Sequence, residues 1–209
     1  MNRISRQIVL HLLLVLLLLV MTGCDRPRLI PLSADATILA FGDSLTYGTG
    51  AQRTESYPAS LAEITGRTVI NAGVPGEISA SGLKRLPEAL AEHQPRLLIL
   101  CHGGNDFLRR LGAEETAANI RAMIALARAQ GVEVVLVGVP QLGLFIDTAP
   151  LYAQLAKELE LPFAEDVISD ILTDRELKSD TIHPNAAGYR KIAEALATLL
   201  KKSGALQGR

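Results

Sequence analysis

Short apolar runs rich in leucine, isoleucine and valine recur along this chain, separated by longer stretches with apolar residues at helical spacing. Thr37 to Phe41, Thr68 to Asn71, Arg96 to Cys101 and Val132 to Gly138 read as strands buried on both faces. Leu161 to Ala164 is a weaker fifth. Ser56 to Thr65, Ser79 to Glu92, Glu114 to Gln130, Thr148 to Leu159 and Ala186 to Lys202 read as amphipathic helices. This alternation argues for an α/β fold, a three-layer α/β/α sandwich with about five parallel strands. Trp is absent and aromatics make up 4% of the chain, so Leu, Ile, Val and Ala must fill the core.

The start of the chain has a different character. Arg3 and Arg6 are followed by Ile8 to Met21, apolar apart from His11. That is signal-peptide length, shorter than the ~20 residues of a membrane span. Thr22-Gly23-Cys24 puts small residues before a cysteine and resembles the bacterial lipoprotein cleavage box, although Met21 stands where leucine is usual. The resemblance implies a lipid on Cys24, and Asp25 after it resembles a signal for retention at the inner membrane. The expected organisation is a signal peptide over 1–23, a tether over 24–36 and a single domain over 37–209. The location implied is the periplasmic face of the inner membrane, or the soluble periplasm without the lipid. Removing the leader takes away two arginines and no acid, so the formal charge of −1 becomes more negative. No basic cluster remains to track phosphates, which speaks against nucleic acid as a partner. Beyond Cys24 the chain has only Cys101, inside the apolar run Leu97-Leu98-Ile99-Leu100-Cys101, so no disulfide framework is expected.

Three motifs carry chemistry. Gly42-Asp43-Ser44-Leu45 follows the first strand, Gly103-Gly104-Asn105-Asp106 follows the third, and Asp180-Thr181-Ile182-His183-Pro184 precedes the last helix. In a parallel sheet such loops converge beyond the carboxyl ends of the strands, where ligands bind. A serine hydroxyl becomes a nucleophile at neutral pH when a base takes its proton and an anion holds that base in the right tautomer. Ser44, His183 and Asp180 can fill those roles. Ser44 could instead cap the helix that follows it; Gly42 favours the sharp turn that projects a side chain. Pro184 suits a first helical turn and keeps His183 in a loop. Asp43 and Asp106 are rivals for the acid, and each is better placed to brace its own loop. His93 lies at a polar helix end, whereas His102 follows strand three and could approach the site. No Cys/His cluster has metal-ligand spacing and no glycine-rich phosphate loop follows strand one, so neither metal nor cofactor is expected.

In order and spacing these motifs resemble the SGNH (GDSL) hydrolases, from about Thr37 to about Leu200. The bacterial arylesterases and the thioesterase I/lysophospholipase group are the most similar. The resemblance implies a flavodoxin-like sheet and cofactor-free hydrolysis of a small-molecule acyl ester (aryl ester, lysophospholipid or thioester) through an acyl-serine intermediate. It assigns attack to Ser44, general base to His183 and orientation of the base to Asp180. The N–H groups of Ser44 and Gly76 and the amide of Asn105 are the implied oxyanion donors. Glu77-Ile78 departs from the family pattern, in which Asp-Thr or Asp-Ser is common after the glycine. The order Ser…Asp…His is that of α/β-hydrolases, but here acid and base are almost adjacent. Two other readings stay open: a glycan O-deacetylase of the envelope, and a lipoprotein that binds a ligand without turning it over. Leu142-Gly143-Leu144-Phe145-Ile146, at the same sheet edge, could line an acyl groove or be buried loop packing.

Overall fold

The computed structural model describes residues 28–143 and 146–206. The expected signal peptide, Cys24, Leu144 and Phe145 lie outside the described residues.

Five strands form one parallel sheet: β1 (Thr37–Gly42), β2 (Thr68–Gly73), β3 (Leu97–Cys101), β4 (Glu133–Val137) and β7 (Phe163–Ala164). Their order is β2-β1-β3-β4-β7, so the chain moves one way from β1 to β2 and the other way from β2 to β3. Ile38 to Phe41 in β1 and all five residues of β3 are buried, which is why these runs lack the polar alternation of a half-exposed strand, whereas β2 is an edge strand and only half-buried, not buried on both faces as expected. A short antiparallel hairpin, β5 (Pro140–Leu142) with β6 (Ile146–Thr148), stands apart from this sheet.

Eight helices are described: α1 (Ser44–Tyr47), α2 (Tyr57–Thr65), α3 (Ser79–His93), α4 (Gly104–Leu108), α5 (Ala113–Ala129), α6 (Pro150–Glu158), α7 (Val167–Thr173) and α8 (Ala186–Lys202). α2 packs on α8, and α3 packs on α5, giving the two outer layers. α8 buries Tyr189, Ile192, Ala193, Leu196 and Leu200, the stripe its periodicity implies. Each fully buried Ile or Leu there contributes roughly 1.5–3 kcal/mol. The five long helices and the five strands match the sequence reading to within a few residues. The short α4 and α7 and the hairpin were not expected. Pro184 precedes α8 rather than opening it, because the Asn185 side chain accepts the Gly188 N–H and so caps the helix.

The tether assignment needs correction over its described part. Leu29 is buried, its N–H donates to the Ser203 carbonyl (2.8 Å), and the Leu32 N–H donates to the Ala205 carbonyl (2.8 Å). Apolar burial and backbone bonding therefore fasten residues 29–32 to the end of α8, and the body of the protein begins before Thr37.

Gly42 ends β1 where the chain must turn against β3. A Cβ there would overlap the Cys101 carbonyl oxygen and the Thr46 hydroxyl. Gly42→Ala should therefore behave as overpacking, costing about 1–3 kcal/mol. Calorimetry should show Tm lowered by roughly 3–10 °C for a chain of this size.

Candidate active site

The sheet order reverses on either side of β1, and the crevice between the carboxyl ends of β1 and β3 is the place where such folds bind ligands. α1 leaves from β1 and α4 from β3. Asp43 caps α1: one carboxylate oxygen, Oδ1, accepts the Leu45 N–H (3.1 Å). Because Asp43 does the capping, Ser44 is free to project its hydroxyl, and the capping alternative does not describe it. Asp43 is 1% exposed, and burial pushes its carboxyl above the usual carboxylate range, against the bond from Leu45.

His183 arrives on the loop before α8. Lys178 and Pro184 form a β-bridge, and the Ser179 N–H donates to the His183 carbonyl (2.9 Å). Asp180 folds back over this turn. Its Oδ1 accepts the N–H groups of Ile182 and His183, both at 2.8 Å, and its Oδ2 lies 2.8 Å from His183 Nδ1. Partial burial would raise the Asp180 pKa, but the bonds from the His183 ring and these two N–H groups hold it below its ordinary value. An ionised carboxylate only accepts, so Nδ1 carries the proton and Nε2 of the neutral ring is left as the acceptor. That Nε2 is 3.0 Å from Ser44 Oγ. Ser44, His183 and Asp180 thus stand in one line of hydrogen bonds, although the first and last are far apart in sequence.

The Asn105 amide donates to Asp43 Oδ2 (3.3 Å) and to the Glu77 carbonyl (3.0 Å). It is therefore beside the serine turn and is occupied by two protein acceptors. Gly76 sits at the third position of a turn, Val74-Pro75-Gly76-Glu77, closed by the Glu77 N–H on the Val74 carbonyl (3.2 Å). Its φ of 76° is the left-handed value a type II turn requires there. Gly76 is exposed and does not border the cleft described below. Among the described residues, no protein acceptor bonds the N–H of Ser44 or of Gly76.

The departure at Glu77 has a structural basis. Its side chain, 8% exposed, receives Arg85 through Nε (2.9 Å) and a second nitrogen (2.6 Å), and His102 Nε2 at 3.1 Å. His102 Nδ1 accepts the Gly103 N–H (2.9 Å), so its proton is on Nε2 and points at Glu77. His102 is thus buried in this clamp and does not approach the serine. Arg85 also stacks 4.0 Å over the Phe41 ring and donates to the Ala72 carbonyl (3.1 Å). Asp106, 2% exposed, accepts from both the N–H and the hydroxyl of Ser79 and so ties α4 to the start of α3. Both rival acids brace loops, and neither touches His183. No residue spacing marked the Glu77–Arg85–His102 cluster, because an arginine two turns into an amphipathic helix ordinarily reads as solvated.

A cleft of about 220 Å³ opens beside Ser44 and His183. Phe107, Leu108, Val139, Pro140, Leu172 and Ile182 supply apolar wall. Of the expected groove segment, Ile146 is half-buried and does not border the cleft. The described wall comes from the residues just before that segment and from α4, α7 and the His183 loop. Among the described residues, no three His, Cys, Asp or Glu side chains gather as a metal site would need.

Comparison with known proteins agrees with this class of site. Residues 40–191 match the GDSL-like Lipase/Acylhydrolase family. The chain is 31% identical over 177 residues to thioesterase 1/protease 1/lysophospholipase L1 of Escherichia coli K12, covering 81% of this chain and 85% of that protein. It is 32% identical over 197 residues to esterase TesA of Pseudomonas aeruginosa, covering 88% and 97%. A crystal structure of TesA superposes with a TM-score of 0.72 at 27% identity, covering 80% of this chain and 99% of that one. The chain belongs to the GDSL-like lipase/acylhydrolase family. It is a serine-type carboxylic ester hydrolase.

The clamp on Glu77 makes a pH-dependent prediction. Burial would raise its pKa, but Arg85 and His102 hold it at about 2 against an ordinary 4.5. A carboxyl whose pKa is lowered by folding adds stability above its unfolded value and loses it as pH falls towards the folded value. Urea unfolding should find Glu77→Gln less stable by about 2–3 kcal/mol at pH 7. That gap should close as pH falls from 4.5 to 2. A gap constant with pH would assign the effect to packing rather than charge.

Proposed function

We propose that Ser44 is the nucleophile, His183 the general base and Asp180 the residue that orients it. The supporting observation is the unbroken path from Ser44 Oγ to His183 Nε2 (3.0 Å) and from His183 Nδ1 to Asp180 (2.8 Å). Ser44 Oγ attacks the ester carbonyl carbon while Nε2 takes its proton. The carbonyl oxygen gains the negative charge, and the Ser44 N–H and the Asn105 amide receive it, joined by the Gly76 N–H when its turn swings toward the cleft. Asn105 exchanges one of its present acceptors for that oxygen. As the carbonyl reforms, the alcohol or thiol leaves with the proton from His183. Water then attacks the acyl-serine with the same base and returns free Ser44 and a carboxylic acid.

The substrate class supported is an ester or thioester with an acyl chain longer than acetyl. The printed names of the relatives include thioesterase, lysophospholipase and esterase. The apolar wall of the cleft suits an alkyl chain, and each methylene buried there adds up to ~0.8 kcal/mol. That wall favours this reading over the glycan deacetylase. Cys24 is further proposed as the lipid-bearing first residue of the mature protein at the periplasmic face of the inner membrane. The support is the leader and the Thr22-Gly23-Cys24 junction.

Two experiments test these readings. Ser44→Ala and His183→Ala should each lower kcat for a nitrophenyl ester by at least about 10⁴-fold with Tm retained. The double variant should be little worse than either single one, since both side chains serve one acyl transfer. Losses that multiply would remove the pairing. For the anchor, protein made with its leader in a Gram-negative host should fractionate with the inner membrane, and Cys24→Ser should release it from lipid-dependent processing. Soluble periplasmic protein from the unaltered gene would contradict the anchor.

A further inference from the structure

One charged side chain at the cleft has no part in the chemistry above. Arg110 borders the cleft together with Ser44 and His183. It follows α4 with φ of 57°, its N–H on the Phe107 carbonyl (3.0 Å) and the Leu111 N–H on the Asp106 carbonyl (2.9 Å). This is the left-handed position at a helix end that glycine occupies freely and other side chains resist. A long cationic residue is thus held in a conformation that its own backbone disfavours, at the edge of the site. Its neighbour Arg109 spends its guanidinium on the Gly76 carbonyl (2.9 Å), and Arg85, Arg121 and Arg190 each pair with a glutamate. Arg110 makes no ion pair or side-chain hydrogen bond with another described residue. Among the described residues that line the cleft, it is the one ionisable side chain apart from His183 and the buried, bonded Asp43, on a mostly apolar wall.

We infer that Arg110 is an anion subsite that grips a phosphate carried by the leaving group of the ester. A guanidinium stays charged at every working pH and meets two phosphate oxygens with a matching pair of N–H donors. An acyl chain on the apolar wall and a phosphate on Arg110 together define an amphiphilic phosphorylated ester. The inference rests on the esterase reading and narrows its substrate. Phosphate reaches such a site from two sources, a terminal phosphomonoester or the phosphodiester of a lipid headgroup.

The probes are short-chain monoacyl esters of glycerol, glycerol 3-phosphate and glycerophosphocholine, used below the concentration at which they aggregate. Ser44→Ala protein reads binding apart from chemistry. It should bind the glycerol 3-phosphate ester about ten-fold more tightly than the glycerol ester, and Ser44→Ala/Arg110→Gln should bind both alike. In the wild type the same preference should appear in KM rather than kcat, survive in part in Arg110→Lys and shrink as salt rises. A preference kept by the phosphocholine ester supports the headgroup as source; one confined to the phosphomonoester supports terminal phosphate. Arg110→Gly should keep or raise Tm, so loss of preference in it is not loss of fold. Equal affinity for phosphorylated and neutral esters in Ser44→Ala protein overturns the subsite, as does a preference that survives Arg110→Gln. Absence of turnover for every ester, with the binding preference intact, would instead sink the esterase reading and leave the subsite standing.

Discussion

β1 pairs in parallel with β2 on one side and β3 on the other. A parallel neighbour cannot be reached by a tight turn, so each crossover must travel back across the sheet through a helix. The carboxyl end of every strand in the sheet therefore lies at the same edge. Because the chain runs from β1 one way to β2 and from β3 the other way to β4, the loops after β1 and β3 part and leave a crevice between them. Ser44 and Asn105 stand on its two sides, and the loop ahead of α8 brings in His183. The spacing of the chemistry follows from the direction of strand pairing.

Beneath the crevice lies a layer of buried polar groups that an apolar core would avoid. Asp43, Asp106, Ser79 and His102 are all nearly inaccessible, and each finds a partner. Satisfied networks of this kind cost desolvation and fix one geometry in exchange. Here the loop positions are what is fixed: Asp43 joins the serine turn to Asn105, Asp106 joins α4 to α3, and Glu77 joins the Gly76 turn to Arg85 and His102. Asn105 is held by two acceptors at 3.0 and 3.3 Å, so a new acceptor can be taken up by a change of bond partner, without movement of the helix.

Most of the sheet was legible because β1, β3 and β4 are buried on both faces and so appear as uninterrupted apolar runs. The long helices were legible because their buried stripes repeat every three to four residues. α4 and α7 were not, since five to seven residues contain too little of that repeat to be told from a loop. The serine, histidine and aspartate could be named because their chemistry demands those residue types in a recognisable order. The cleft wall could not, since Leu172, Ile182 and Val139 are ordinary apolar residues until the chain folds them together. The Glu77 clamp was hidden for a related reason: Arg85 reaches across eight positions to a loop, and no local pattern records such a contact. Residues 29–32 read as linker because they lack periodicity, yet two backbone hydrogen bonds and one buried leucine dock them.

That docking sets an orientation. α8 begins just after His183 and ends at Ser203 beside Leu29, and its 17 residues span about 25 Å. The point where the chain enters the body is therefore at the opposite pole from the cleft. Leu29 lies five positions after Cys24, a reach of at most about 17 Å. An anchor at Cys24 would hold the body close to its own bilayer while turning the cleft outward into the aqueous space. An enzyme mounted in this way faces molecules that have left the membrane. It meets monomers, shed fragments and esters diffusing through the compartment more readily than lipids packed in the leaflet that carries it.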